Sequence, residues 1–182
     1  VVAMTDMQGR LTGKRIHGTF FLDEVLKHGT EGCNYLLAVD VDMNTVDGYE
    51  MSSWERGYSD FALVPDMDTL RMIDWQEGAA LVLADVQWLD HTDVVASPRQ
   101  ILRKQVKALK DAGMEAMCGT ELEFVVYKDT YEEAWNKGYK NLIPVNQYNV
   151  DYSIMGGSRI EPLLRRIRLA MAKAGMTVES VK

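Results

Sequence analysis

The chain has 182 residues, 47% of them apolar and 26% charged, with a net charge of −7 at pH 7, enough apolar material for one ordinary domain or two small ones. The acidic balance argues against a nucleic-acid partner, which needs a basic surface, and neither a run of eighteen apolar residues nor a charged-then-apolar leader stands in the sequence to indicate a membrane span or a signal peptide. Cys33 and Cys118 lie far apart without C-x-x-C spacing, which points to a reduced, cytoplasmic setting rather than a zinc site or a disulfide scaffold.

In chain order, Val1 to Met4 reads as a strand, Asp6-Met7-Gln8-Gly9-Arg10 as a turn and Leu11 to Ile16 as the return strand of a hairpin. Phe20 to Leu26 has helical spacing and stops at Gly29. Gly32 to Asn34 reads as a loop, and Tyr35 to Asp42 as a strand with Ala38, Asp40 and Asp42 on one face. An Asp-x-Asp pair of this kind either binds metal or runs out into a solvated acidic loop. Asn44 to Asp60 is a long polar loop carrying Tyr49, Ser52, Ser53, Trp54 and Tyr58, and loops of that length are often functional. Its aromatic residues serve either as interface anchors or as groups folded back on their own domain.

Phe61 to Asp66 reads as a short strand ended by Pro65, and Ala79 to Trp88 as a strongly apolar central strand. Ser97-Pro98 is a helix start, because a serine oxygen caps a free N–H that proline does not need. Ile101, Leu102, Val106 and Leu109 supply an apolar face to that helix and Gly113 closes it, which predicts a domain boundary near residue 96.

Gly119 to Tyr127 is the stretch in which charge enters an otherwise apolar segment. As a strand it sends Glu121 and Glu123 to one face and Leu122, Phe124 and Val126 to the other. Two like charges so close call for a cation between them, and a hard divalent ion such as Mg²⁺ or Mn²⁺ suits carboxylates. A solvated acidic face on an edge strand is the plainer alternative. Asp129 to Lys140 reads as a helix or an ordered insertion, and 143 to 153 as irregular. Ser158-x-x-Glu161 has capping-box spacing before a stripe of Leu163, Leu164, Ile167, Ala170, Met171 and Ala174 that reads as core, and a strand follows from Met176. Terminal strands without turn or cap predict a chain cut from a longer protein at both ends.

The order Asp6-x-x-Gly9-x-x-x-Gly13-Lys14, Ser59-Asp60-x-x-Leu63-x-Pro65-Asp66, Ser97-Pro98-Arg99 and Glu121-x-Glu123-Phe124 resembles the front part of the glutamine synthetase family. Thr69-Leu70-Arg71 followed by Trp75 is more similar to its γ-glutamyl-polyamine synthetase-like branch. The resemblance implies an α+β protein with an N-terminal β-grasp domain over 1–96 and the beginning of a catalytic α/β domain over 97–182, whose curved sheet lines an active-site funnel. It implies an ATP-dependent glutamate–ammonia or glutamate–amine ligase acting through γ-glutamyl phosphate, with Mg²⁺ or Mn²⁺, in a ring-like homo-oligomer, a dodecamer in the full-length enzyme.

Glu121 and Glu123 match the first two metal-ligand glutamates of the family. The family's Asp-Gly-Ser-Ser loop is absent in that form, so Asp40, Asp42 and Asp47 compete for the place of the acid beside the amine. Tyr148, Asp151 and Tyr152 fall where the family places residues near the nucleotide. The remaining ligands and phosphate-binding arginines are not in this chain, so 1–182 alone is expected to be inactive. The competing expectation is a non-catalytic pseudoenzyme or interaction module that uses the β-grasp surface.

Overall fold

The computed structural model describes residues 1–182, which fold as two compact units, 1–117 and 118–182. No helix is long and apolar enough to cross a membrane.

The first unit is built on a five-stranded mixed sheet in the order β2-β1-β5-β4-β3. Its strands are β1 (Val2–Thr5), β2 (Leu11–Lys14), β3 (Thr30–Cys33), β4 (Asp60–Met72) and β5 (Ala80–Gln87). Only β1 and β5 pair in parallel. The hairpin forms where the sequence predicts it, and Asp6 explains why: its carboxylate accepts the N–H groups of Gln8 (2.9 Å) and Arg10 (2.8 Å), which closes the turn. Gly13 sits against β1 so closely that a Cβ there would lie 2.1 Å from the Val2 carbonyl oxygen.

A helical run over 18–28 (α1) follows, with its middle, Phe21–Val25, in the wider i→i+5 form. Gly29 ends it at φ +73°, where a side chain would also meet the Leu63 carbonyl. One face of the sheet carries the core. Alternate residues Val2 and Met4, Phe61 and Leu63, and Val82, Ala84 and Val86 are buried there with Val25 of α1, Leu37 and Val94, each large side chain contributing about 1.5–3 kcal/mol by leaving water.

The structure corrects several expectations in this unit. Thr30–Cys33, read partly as loop, is the edge strand β3. Tyr35 to Asp42 is not a strand. It opens as a 3₁₀ turn over Asn34–Leu37 because buried Asn34 turns inward, its side-chain amide donating to the Met51 carbonyl (3.0 Å) and to Ser59 Oγ (3.1 Å). Pro65 does not end β4, which continues to Met72 through a register shift between Asp66 and Arg71. The Thr69 hydroxyl repairs the ladder there, accepting the Leu83 N–H (2.9 Å) and donating to the Asp66 carbonyl (2.6 Å).

Helix α2 (Pro98–Asp111) starts and stops where predicted, with Pro98 in its first turn and Gly113 at φ +73° beyond its end, although the Ser97 side chain makes no capping bond. The helix is not held by its apolar face. Ile101, Leu102 and Val106 are exposed and its buried residue is Gln100, whose amide donates to Asp93 Oδ1 at 3.1 Å.

The second unit contains α3 (Tyr131–Asn136), α4 (Ile154–Ser158) and α5 (Glu161–Lys173) and no sheet. The strands expected over 119–127 and from Met176 are absent. Only Val126–Lys128 finds a partner, exchanging backbone bonds with Ile143 and Val145 at 2.9 Å around an isolated Tyr127–Pro144 bridge. A strand without a neighbour leaves its N–H and C=O groups to water, and Leu122 is accordingly 86% exposed. Helix α3 starts at a true capping box that the sequence reading passed over, Thr130 with Glu133. The box expected at Ser158 and Glu161 does not form. Ser153 caps α4, the Ser158 hydroxyl donates back to Ile154, and Glu161 pairs with Arg168. In the predicted core stripe of α5, Leu164 and Ala174 are buried whereas Leu163 and Ile167 are exposed.

Candidate functional site

In the second unit, Glu121 and Glu123 lie on the extended segment that leads into Tyr127, and both are exposed. They do not line the inner wall of a curved sheet, because no sheet forms around them. Glu121 Oε1 instead stands 2.9 Å from Lys182 Nζ. The same ammonium donates to the Tyr152 hydroxyl at 3.3 Å and lies 4.6 Å from the centre of the Tyr152 ring. The hydrogen bond to Glu121, then that to Tyr152, raises the Lys182 pKa above the ordinary lysine range. Lys182 carries no sequence signal for this contact, since a lone lysine after the mixed stretch Val178-Glu179-Ser180-Val181 reads as surface charge.

Carboxylates are the right donor type for a hard divalent ion, but the residues present do not make a metal centre. No group of three or more His, Cys, Asp or Glu side chains converges, and the charge of Glu121 is already balanced by Lys182. Of the expected nucleotide-side residues, Tyr148, Asp151 and Tyr152 are all exposed, and Tyr152 joins Glu121 through Lys182. The Asp151 N–H donates to Asn149 Oδ1 (3.1 Å) within its own turn.

In the first unit the three loop acids separate by environment. Asp40 is half-buried, and its carboxylate accepts the N–H groups of Asp42 and Asn44, each at 2.9 Å, and the Asn44 amide at 3.2 Å. The Asn44 N–H, foremost among these, holds the Asp40 carboxyl below its usual pKa. Asp40 is therefore occupied in shaping its own loop, whereas Asp42 and Asp47 are exposed. The hairpin turn braces this loop from beneath: Arg10 donates to the Val41 (2.7 Å) and Asp40 (3.0 Å) carbonyls, and Gln8 to that of Val39 (2.8 Å).

An open hollow of about 540 Å³ is lined by Tyr49, Met51, Arg56, Trp88 and Val94, among others. Trp54 stands outside it, 76% exposed and edge-on to Tyr58. Of the loop aromatics, Tyr58 packs on Tyr35 and Trp54 caps Tyr58 from the solvent side.

The motif residues Asp66 and Arg99 meet in an ionic cluster. Arg99 donates through Nε to Asp85 Oδ1 (2.9 Å) and through Nη2 to Asp66 Oδ2 (2.5 Å), and Arg103 Nη1 reaches Asp85 Oδ2 at 2.6 Å. Asp66 and Asp85 project from the face of the sheet opposite the apolar core, so this cluster is what ties α2 to β4 and β5.

Comparison with known proteins agrees with the motifs. A profile described as "Glutamine synthetase, catalytic domain" matches residues 95–182. The chain is 64% identical, over all of its 182 residues and 39% of the relative's length, to gamma-glutamylethanolamide synthetase GlnA4 of Streptomyces coelicolor. It is 32% identical over 175 residues, 96% of the chain and 38% of the relative, to glutamate–isopropylamine ligase of a Pseudomonas species. A crystal structure described as a novel glutamine synthase homolog superposes with a TM-score of 0.63 at 18% identity, covering 96% of this chain and 38% of that one, which speaks to fold alone. The chain thus spans well under half the length of these relatives, and from end to end it aligns with them: it belongs to the glutamine synthetase family.

Proposed function

We propose that the chain is the front part of an ATP-dependent glutamate–amine ligase, and that its substrate is an alkylamine rather than ammonia. The observation that carries this reading is the 64% identity, along the whole chain, to a synthetase named for a γ-glutamyl amide of ethanolamine. In the proposed reaction the glutamate γ-carboxylate attacks the terminal phosphorus of ATP, giving γ-glutamyl phosphate and ADP. The amine nitrogen then attacks the acyl carbon, phosphate leaves, and the amine gives up a proton.

The sheet order β2-β1-β5-β4-β3, with a hairpin, a helix across one face and a parallel central pair, supports a β-grasp domain over 1–96, and the family match from residue 95 supports a catalytic domain from 97. Glu121 and Glu123 are proposed as two ligands of a Mg²⁺ or Mn²⁺ shell whose other ligands lie outside this chain. When bound, such an ion screens the charge moving between phosphoryl oxygens. The setting is cytoplasmic and the assembly a ring of like subunits, with glutamate, ATP and an amine as partners and no nucleic acid or membrane.

The alternative is a non-catalytic member that uses the β-grasp surface, favoured by one observation: no third His, Cys, Asp or Glu side chain converges with Glu121 and Glu123. Amine-dependent ADP formation separates the two. The longer protein of which this chain is part should form ADP with glutamate plus ethanolamine or isopropylamine, and lose at least a hundredfold of that rate on Glu121→Ala. ADP formation that ignores the amine, or survives the substitution, overturns the ligase reading. Chain 1–182 alone should give no turnover above its own Glu121→Ala control, because two carboxylates cannot position three phosphates.

A further inference from the structure

Trp54 is the most exposed tryptophan of the chain and is fastened in that position. It opens a turn over 54–56 that is tied down on both sides. The Arg56 N–H donates to Ser53 Oγ (3.2 Å), Arg56 Nη1 donates to the Glu50 carbonyl (2.6 Å), and the indole stands edge-on to the Tyr58 ring at 5.2 Å. Holding a large aromatic group in water costs hydrophobic free energy, and a pre-organised exposed indole is a common anchor of protein contacts.

The same loop borders the hollow of about 540 Å³, whose walls include Tyr49, Met51, Trp88, Val94 and the outward Val95, with Arg56 also in the lining. Cavities of that size take drug-sized molecules, so an indole has room there. Charge matches as well as shape. The residue beside the indole is the exposed Glu55, the hollow offers the Arg56 guanidinium, and neither meets an opposite charge in its own copy.

We propose that a second copy of this chain fills the hollow, Trp54 of each copy entering the walls formed by Tyr49 and Trp88 of the other while Glu55 meets the other's Arg56. Knob and hollow belong to one loop, so a two-fold axis lets each copy give and receive at once, and the contact closes on itself. The inference stands apart from the ligase chemistry and gives the assembly of like subunits proposed above one specific contact. Two buried indoles account for about 300–500 Å², well under the ~1,200 Å² of a stable interface. The dimer of chain 1–182 is therefore weak, with a Kd of about 10 µM to 1 mM.

Sedimentation velocity from micromolar to millimolar chain 1–182 should show monomer giving way to dimer, with circular dichroism confirming that each variant is folded. Trp54→Ala should raise the Kd by about tenfold or more, and Trp54→Phe by less. Glu55→Arg and Arg56→Glu should each stay monomeric alone, because each sets like charges against one another across the axis. Their equimolar mixture should pair again, because both contacts then join opposite charges. A wild type that stays monomeric, a Trp54→Ala variant that pairs as the wild type does, or a mixture that pairs no better than its components overturns the proposal. If the longer protein assembles while wild-type 1–182 stays monomeric, the like-subunit reading stands and this contact falls. Free indole that shifts the Trp88 resonances of a chain that never pairs would give the hollow to a small aromatic ligand instead.

Discussion

At the scale of single residues, Asp6 does the most with the least exposure. It is buried, and burial alone would raise its carboxyl pKa. The Arg10 side chain and the backbone N–H groups of Arg10 and Gln8 outweigh that and hold it below the usual carboxylate range. A carboxylate whose pKa is lowered in the folded state stabilises the fold above its unfolded value, near pH 4, and that contribution disappears as pH falls through the lowered folded value. Urea midpoints should therefore drop on acidification below about pH 4, and drop less steeply in Asp6→Asn. At neutral pH, Asp6→Ala strips partners from two turn N–H groups and from Arg10. Urea unfolding should record a loss of about 1–3 kcal/mol; a loss under half of that would mean that water replaces the carboxylate at no cost.

At the scale of elements, α2 is the case in which the sequence marked the helix but not the side that meets the sheet. Serine, proline and glycine marked its ends because those signals are local. The apolar stripe did not mark the docked side, since the contact is made by Arg99, Arg103 and Gln100 reaching acids on β4, β5 and the loop before the helix. The Arg99 side chain is 20% exposed and that of Asp85 11%, so the pair lies between the surface and buried limits. Arg99→Met should destabilise by about 1–3 kcal/mol, and Arg99→Lys should recover less than half, because an ammonium cannot address two carboxylates in one plane. Thermal unfolding checks this, and hydrogen exchange should show α2 opening before the sheet. Equal protection of α2 in wild type and Arg99→Met would remove the clamp from the explanation.

At the scale of the whole molecule, legibility followed the range of the interactions. The hairpin, α1, β5 and the start and stop of α2 were all readable, since alternation, helical period and turn residues act within a few positions. Asn34 was not, because a lone asparagine carries no sign that its amide will bridge Met51 and Ser59 and convert the expected strand into a turn. The Glu-x-Glu segment was legible as chemistry and illegible as structure. Its residue types and order pointed to the family, yet a strand is a property of two segments, and no neighbour pairs with 119–125 here. Lys182 beside Glu121 was invisible for the same reason, being a meeting of segments 61 positions apart.

The ionic cluster also bears on how the family's sequences can drift. Pro65-Asp66 and Ser97-Pro98-Arg99 look like two separate signatures, but one guanidinium joins them. Losing Arg99 leaves Asp66 and Asp85 to share the more exposed Arg103 alone, two carboxylates on one cation, so selection should couple the two signatures. An alignment of relatives should show positions 66, 85 and 99 changing together, with apolar triplets replacing charged ones; frequent independent replacement at 66 or 99 would mean that α2 has another anchor in those lineages.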